Sequence, residues 1–90
     1  MSVRIKLHDV LREYVNGQAL VEANGKTIGE CIDDLERRYP GFKKQLCFKN
    51  GKLLDYFDIY INNISAYPDE FSKPVNDDDE IAITVFLAGG

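Results

Sequence analysis

The segment from Thr27 to Gly41 limits the folds open to this chain more than any other. Thr27 reads as a helix N-cap, and Glu30 reads as its capping-box partner, reaching back to the Thr27 backbone N–H. Ile28, Cys31, Ile32, Leu35 and Tyr39 then recur at helical spacing and form one apolar stripe. Asp33, Asp34, Glu36, Arg37 and Arg38 occupy the rest, acids first and bases last, as the helix dipole favours. Pro40-Gly41 stops the helix. A helix with a single apolar stripe needs a single surface to cover it. A sheet must supply that surface.

The strands are read from period-two alternation. Val3, Ile5 and Leu7 alternate with Arg4 and Lys6 in a half-buried first strand. A helical turn over Asp9–Val15 and the Asn16-Gly17 turn lead into a second strand, Gln18–Ala23, which makes a hairpin with the first. Phe42–Leu46 reads as a further helical turn. Asn50-Gly51 lies between two apolar runs and suggests a short hairpin. Ile59-Tyr60-Ile61 is a strand closed by Asn62-Asn63, and Tyr67–Asn76 reads as irregular. Asp77-Asp78-Asp79 is a turn before the final strand, Glu80–Phe86. That strand is apolar on both faces, which marks a central position. The order describes an α+β domain with one main helix on one face of a mixed sheet. Ile59, Ile61, Ile81, Ile83 and Val85 are expected to face the helix. Tyr60, Ala82, Thr84 and Phe86 then face outward with Arg4 and Lys6, as a candidate docking surface.

Ninety residues make one small domain with little room for a deep enclosed active site. No apolar run approaches the roughly 20 residues that span a bilayer. The alternating start of the chain is unlike a signal or transit peptide, so a cytoplasmic location is expected, with Cys31 and Cys47 as reduced thiols. A net charge of −4 argues against a nucleic-acid binder. The charge is uneven: Arg37–Lys52 carries six bases and no acid, whereas Leu53–Glu80 carries eight acids and only Lys73. The acidic half is suited to steering onto a basic partner. His8 is the single histidine, and neither metal-ligand spacing nor a nucleophile–base pattern is present, so an enzyme is the weakest reading.

The chain ends Leu87-Ala88-Gly89-Gly90. Residues without Cβ can thread a channel too narrow for any side chain and can adopt backbone angles closed to other residues. They place the α-carboxylate of Gly90 at the tip of a slim arm. The expected organisation is a folded domain over 1–86 followed by a flexible tail over 87–90.

Four segments together resemble the sulfur carriers of the MoaD/ThiS type, small β-grasp proteins related in fold to ubiquitin. Leu11-Arg12-Glu13 resembles the segment after the family's first strand. Thr27 to Gly41 resembles its "TVxELLxxLxxRYPG" helix, Asp77 to Ile83 its "DGDEVAI" turn and strand, and Leu87–Gly90 its tail. Asp78 stands where the family usually has glycine. The stretch Asn50–Phe57 is longer than in compact members and resembles the longer MoaD-like and CysO-like branch.

The resemblance implies a protein substrate, not a catalyst. An adenylating enzyme of the E1-like MoeB/ThiF type would join the Gly90 carboxylate to AMP, using ATP and magnesium. Sulfur would then displace AMP and leave a thiocarboxylate at Gly90. Gly90 is thus the attachment site, with Leu87, Ala88 and Gly89 as the tail that partners enclose. The carrier itself would bind no cofactor and no metal. The implied acceptor is the molybdopterin precursor, with a MoaE-like subunit receiving the tail; thiamin and cysteine synthesis are the alternatives. A ubiquitin-like modifier joined through Gly90 to lysines is the runner-up, and a plain β-grasp binding module with incidental glycines is a third reading.

Overall fold

A computed structural model describes residues 2–85 of the chain. Strand β1 (Ser2–Leu7) buries Val3, Ile5 and Leu7 and exposes Arg4 and Lys6, as the alternation requires. A short helix α1 (Asp9–Arg12) and a 3-10 turn (Glu13–Val15) carry Leu11 and Val15 into the core. The chain then reverses at Asn16 and Gly17 and returns as β2 (Leu20–Asn24), antiparallel to β1 with Val21 opposite Ile5. The strand starts two residues later than its sequence suggests. Gln18 is engaged elsewhere, its side-chain amide donating to the Val15 carbonyl and the Tyr39 hydroxyl.

Helix α2 (Ile28–Arg38) buries Ile28, Cys31, Ile32 and Leu35, and Tyr39 packs at the rim of the core. Thr27 caps it as expected, its Oγ1 accepting from the Glu30 N–H at 3.1 Å. The reciprocal half of the capping box differs. Glu30 accepts from the Lys26 N–H at 2.9 Å and not from that of Thr27. The segment around Thr27 lies antiparallel against Lys73–Val75, with Ile28 N–H on the Lys73 carbonyl and Val75 N–H on that of Lys26. That pairing fixes how the chain approaches the helix and leaves the Lys26 donor within reach. Gly29 permits a second close approach. A Cβ there would lie 2.9 Å from the Phe71 carbonyl oxygen, which the bare glycine accommodates.

Helix α3 (Phe42–Leu46) follows Gly41, whose φ of 101° favours a residue without Cβ. Its first turn is capped from α2, as the Glu36 carboxylate accepts from the Gly41 and Lys43 N–H groups. Cys47 and Leu53 form a single antiparallel bridge around Asn50-Gly51, a minimal version of the expected hairpin. Strand β3 (Phe57–Ile61) turns tightly at Asn62 and Asn63, both with positive φ, into β4 (Ile64–Ser65). A 3-10 turn (Glu70–Ser72) interrupts the segment that reads as irregular. Asp78 takes φ 68° in the turn before β5 (Glu80–Val85). The aspartate therefore accommodates the left-handed angle.

The sheet order is β2-β1-β5-β3-β4, with β5 parallel to β1 and antiparallel to β3. The final strand is central, as its two-sided apolar character requires. The helices cover one face of the sheet. The order and the helix give the α+β, β-grasp arrangement.

Asp34 departs from the surface role its sequence position suggests. The residue is 9% exposed. One carboxylate oxygen accepts from Arg37 at 2.7 Å; the other accepts from the Asn24 N–H at 3.0 Å and from Arg38 at 3.1 Å. Arg38 also donates to the Glu22 carbonyl. Two outward-pointing backbone groups of edge strand β2 are thus satisfied by one helix. Exposed edge groups invite pairing with other chains, and this ion pair occupies them instead. The Asn24 N–H and both arginines hold the Asp34 carboxyl below the usual carboxylate range.

Candidate functional site

The site follows from the position of β5. Val85, its last residue, lies opposite Phe57 of β3 at one end of the sheet. Strand β5 is paired with β1 as far as Ile83 and with β3 as far as Val85. Phe86, Leu87, Ala88, Gly89 and Gly90, which the sequence marks as docking residue, tail and attachment point, lie outside the described residues.

The outward residues on the face opposite the helices fall into rows. One row runs Leu20, Lys6, Ala82, Tyr60 and Ser65 across all five strands. Beside it, Thr84 stands opposite Asp58, its hydroxyl 3.5 Å from the Asp58 carbonyl oxygen. The third row is Glu22, Arg4 and Glu80. Tyr60, Ala82 and Thr84 therefore share one surface, as expected, and all three are half-buried. Its cations have anionic neighbours: Lys6 contacts Glu80 at 3.3 Å, and Glu22 stands opposite Arg4. The surface is close to charge-balanced around an apolar centre.

Two members of this surface were missed from sequence. Leu20 is 48% exposed for an apolar side chain in a strand, and Asp58 borders Thr84. The signal for Leu20 was available, since alternation with Val21 and Ala23 places it on the side of Glu22.

The remaining reactive groups are structural. His8 Nδ1 accepts from the Val10 N–H and caps α1. Burial pushes the Cys31 thiol up to about 11, and burial likewise raises Cys47. Neither is a ready thiolate near neutral pH. Asp79 is held low by the Asn76 N–H and the Asn62 side chain, and it organises the turn before β5. Among the described residues no cluster of three or more metal-ligating side chains occurs, and no helix is long and apolar enough to cross a membrane.

The comparisons with known proteins agree with this geometry. The ThiS family model matches residues 5–90. The sulfur carrier protein CysO of Mycobacterium tuberculosis is 32% identical over 93 residues, covering all of both chains. The structure of the Amycolatopsis orientalis BexX/CysO complex contains a chain 32% identical to this one. It superposes with a TM-score of 0.87 over 98% of this chain and 99% of that one. Small archaeal modifier protein 1 of Methanosarcina acetivorans is 25% identical, with a TM-score of 0.80 over 99% and 96% of the two chains. Carriers of this kind are protein substrates activated by partner enzymes. With a full-length family match and a β-grasp sheet ordered around its last strand, the chain belongs to the ThiS/MoaD family of sulfur carriers.

Proposed function

We propose that Gly90 is the chemical end of this protein and that it carries sulfur as a thiocarboxylate in the cytoplasm. A carboxylate is a poor electrophile because neither oxygen is a good leaving group. In the proposed first step a Gly90 carboxylate oxygen attacks the α-phosphorus of magnesium-bound ATP on an E1-like enzyme, and pyrophosphate leaves. A hydrosulfide-class donor then attacks the acyl carbon, the C–O bond to AMP breaks, and the thiocarboxylate remains. Gly89 and Gly90 suit this chemistry because the enzyme must enclose an extended tail in attack geometry. Tyr60, Ala82, Thr84 and Phe86 are the proposed docking residues, with Leu20 at the rim.

The observation that carries this reading is the end-to-end match to sulfur carriers that includes the diglycine. It also bears on the acceptor. CysO carriers align over the full length at 32% identity, which favours a CysO-like role in cysteine synthesis over the molybdopterin route that the helix and turn motifs suggest. Intact-protein mass spectrometry tests the chemistry. Incubation with ATP, sulfide and the E1-like enzyme of the same organism is expected to add the mass difference of sulfur for oxygen, and deletion of Gly90 is expected to abolish the gain. An unchanged mass with active enzyme would contradict it.

A second reading is favoured by the likeness to small archaeal modifier protein 1. The same activated Gly90 would be joined to lysine amines of other proteins. Covalent adducts that disappear on deletion of Gly90 would establish that use; their absence from extracts making thiocarboxylate would leave sulfur transfer alone.

A further inference from the structure

Strand β4 is only two residues long and pairs with Tyr60 and Ile61 alone. On the edge away from β5, the start of β3 at Phe57 and Asp58 therefore has no strand beside it. A groove of about 640 Å³ opens there, between residues 51–58 and residues 67–72. Leu53, Leu54, Phe57, Tyr67 and Phe71 give it an apolar floor and wall. Tyr67 is 74% exposed, a large aromatic surface that no described residue covers.

The groove carries the carboxylates of Asp55, Asp58, Asp69 and Glu70. Several acids elsewhere are engaged in ion pairs: Asp9 with Arg12, Asp33 with Lys43, Asp34 with Arg37 and Arg38, and Glu80 with Lys6. The four groove carboxylates have no ion-pair or hydrogen-bond partner among the described residues. Lys52 is the cation that lines the groove, and Lys73 nearby donates instead to the Pro68 carbonyl. Four free anions against one cation around an apolar trough fit a segment carrying lysine or arginine beside an apolar side chain.

Position selects the protein that supplies it. Phe57 lines the groove and also stands opposite Val85, where the described part of β5 ends. Asp58 lines the groove and borders Thr84 on the open face. A protein that engages the chain at Val85 sits over this end of the sheet. We propose that the groove receives a basic, apolar-anchored segment of the adenylating enzyme, adding a charge-steered contact beside the tail. The choice of partner rests on the tail chemistry proposed above.

The test compares wild type with a variant carrying Asp55→Asn, Asp69→Asn and Glu70→Gln, whose folding is checked by thermal melting. Affinity for the E1-like enzyme of the same organism is measured across a salt series, with and without Gly89 and Gly90. The neutralised variant is expected to bind about tenfold more weakly at low salt, with a flatter salt dependence, in both tail backgrounds. Equal affinity and equal salt dependence would overturn the proposal, as would failure of the wild-type chain to bind. Thiocarboxylate formation is a separate readout. If wild type binds through the groove yet never gains sulfur, the tail chemistry fails and the groove stands. If it gains sulfur and the variant binds equally well, the groove fails and the tail chemistry stands.

Discussion

Charged residues do different work in the two halves of this molecule. Between Asp9 and Lys43 they hold the fold together: Asp34 and Arg38 close the β2 edge, Glu36 caps α3, and Asp33 pairs with Lys43. Between Asp55 and Glu70 the acids touch nothing charged, and the backbone is held by turns with positive φ at Asn62, Asn63 and Asp69. The helix-bearing half satisfies its polar groups internally. The stretch from Asp55 to Glu70 leaves its carboxylates without a partner among the described residues, free for solvent or for another protein. Substitutions should therefore damage folding in the first region and recognition in the second.

The largest stability effect should come from the packed stripe of α2. Leu35 is fully buried, and Leu35→Ala should cost about 3 kcal/mol in urea unfolding, since it removes apolar contact and leaves a cavity. A loss below about 1 kcal/mol would mean that the core relaxes far more than its packing implies. Gly29→Ala comes next, at about 2 kcal/mol, because its Cβ meets a backbone carbonyl that cannot swing away as a side chain would. This variant also tests how tightly the two halves are joined, since the contact is with Phe71. An unchanged melting temperature would show a loose junction.

Asp34→Asn should cost about 1–2 kcal/mol near neutral pH by weakening both arginine pairs and the Asn24 bond. Its pH dependence has a definite sign. The folded-state value is lowered below the unfolded one, about 3.9, so the stabilisation is complete above about pH 4 and disappears as pH falls through the folded value. Unfolding free energies measured from pH 6 to pH 3 should fall more steeply in wild type than in Asp34→Asn. Parallel curves would remove the charge from the account of the edge. In the other region Asp55→Asn should change stability by less than about 0.5 kcal/mol. A larger loss would erase the contrast between the halves.

The same contrast explains what could be read from the sequence. The α2 stripe, its Thr27 cap, the β1 alternation and the central place of β5 rest on local periodicity and are visible in a single chain. Strand β4 has two residues and hence no period, and Ile64 within it is 73% exposed. The burial of Asp34 depends on dangling groups of a strand ten residues earlier, which no helical pattern encodes. The groove joins segments brought together only by the sheet. The common face of Tyr60, Ala82 and Thr84 was legible because alternation assigns faces, and Leu20 was lost by reading β2 as a hairpin partner alone. Gly89 and Gly90 lie outside the described residues, and their role rests on the proposal above.

The most direct test of the central claim, that the tail serves chemistry and not folding, is ATP–pyrophosphate exchange by the E1-like enzyme with Gly90→Ala as substrate, alongside its melting curve. The account predicts a melting temperature equal to that of wild type and exchange at least about tenfold slower, because a Cβ disturbs the attack geometry of the enclosed carboxylate. Exchange at the wild-type rate would contradict it and leave the diglycine without a role.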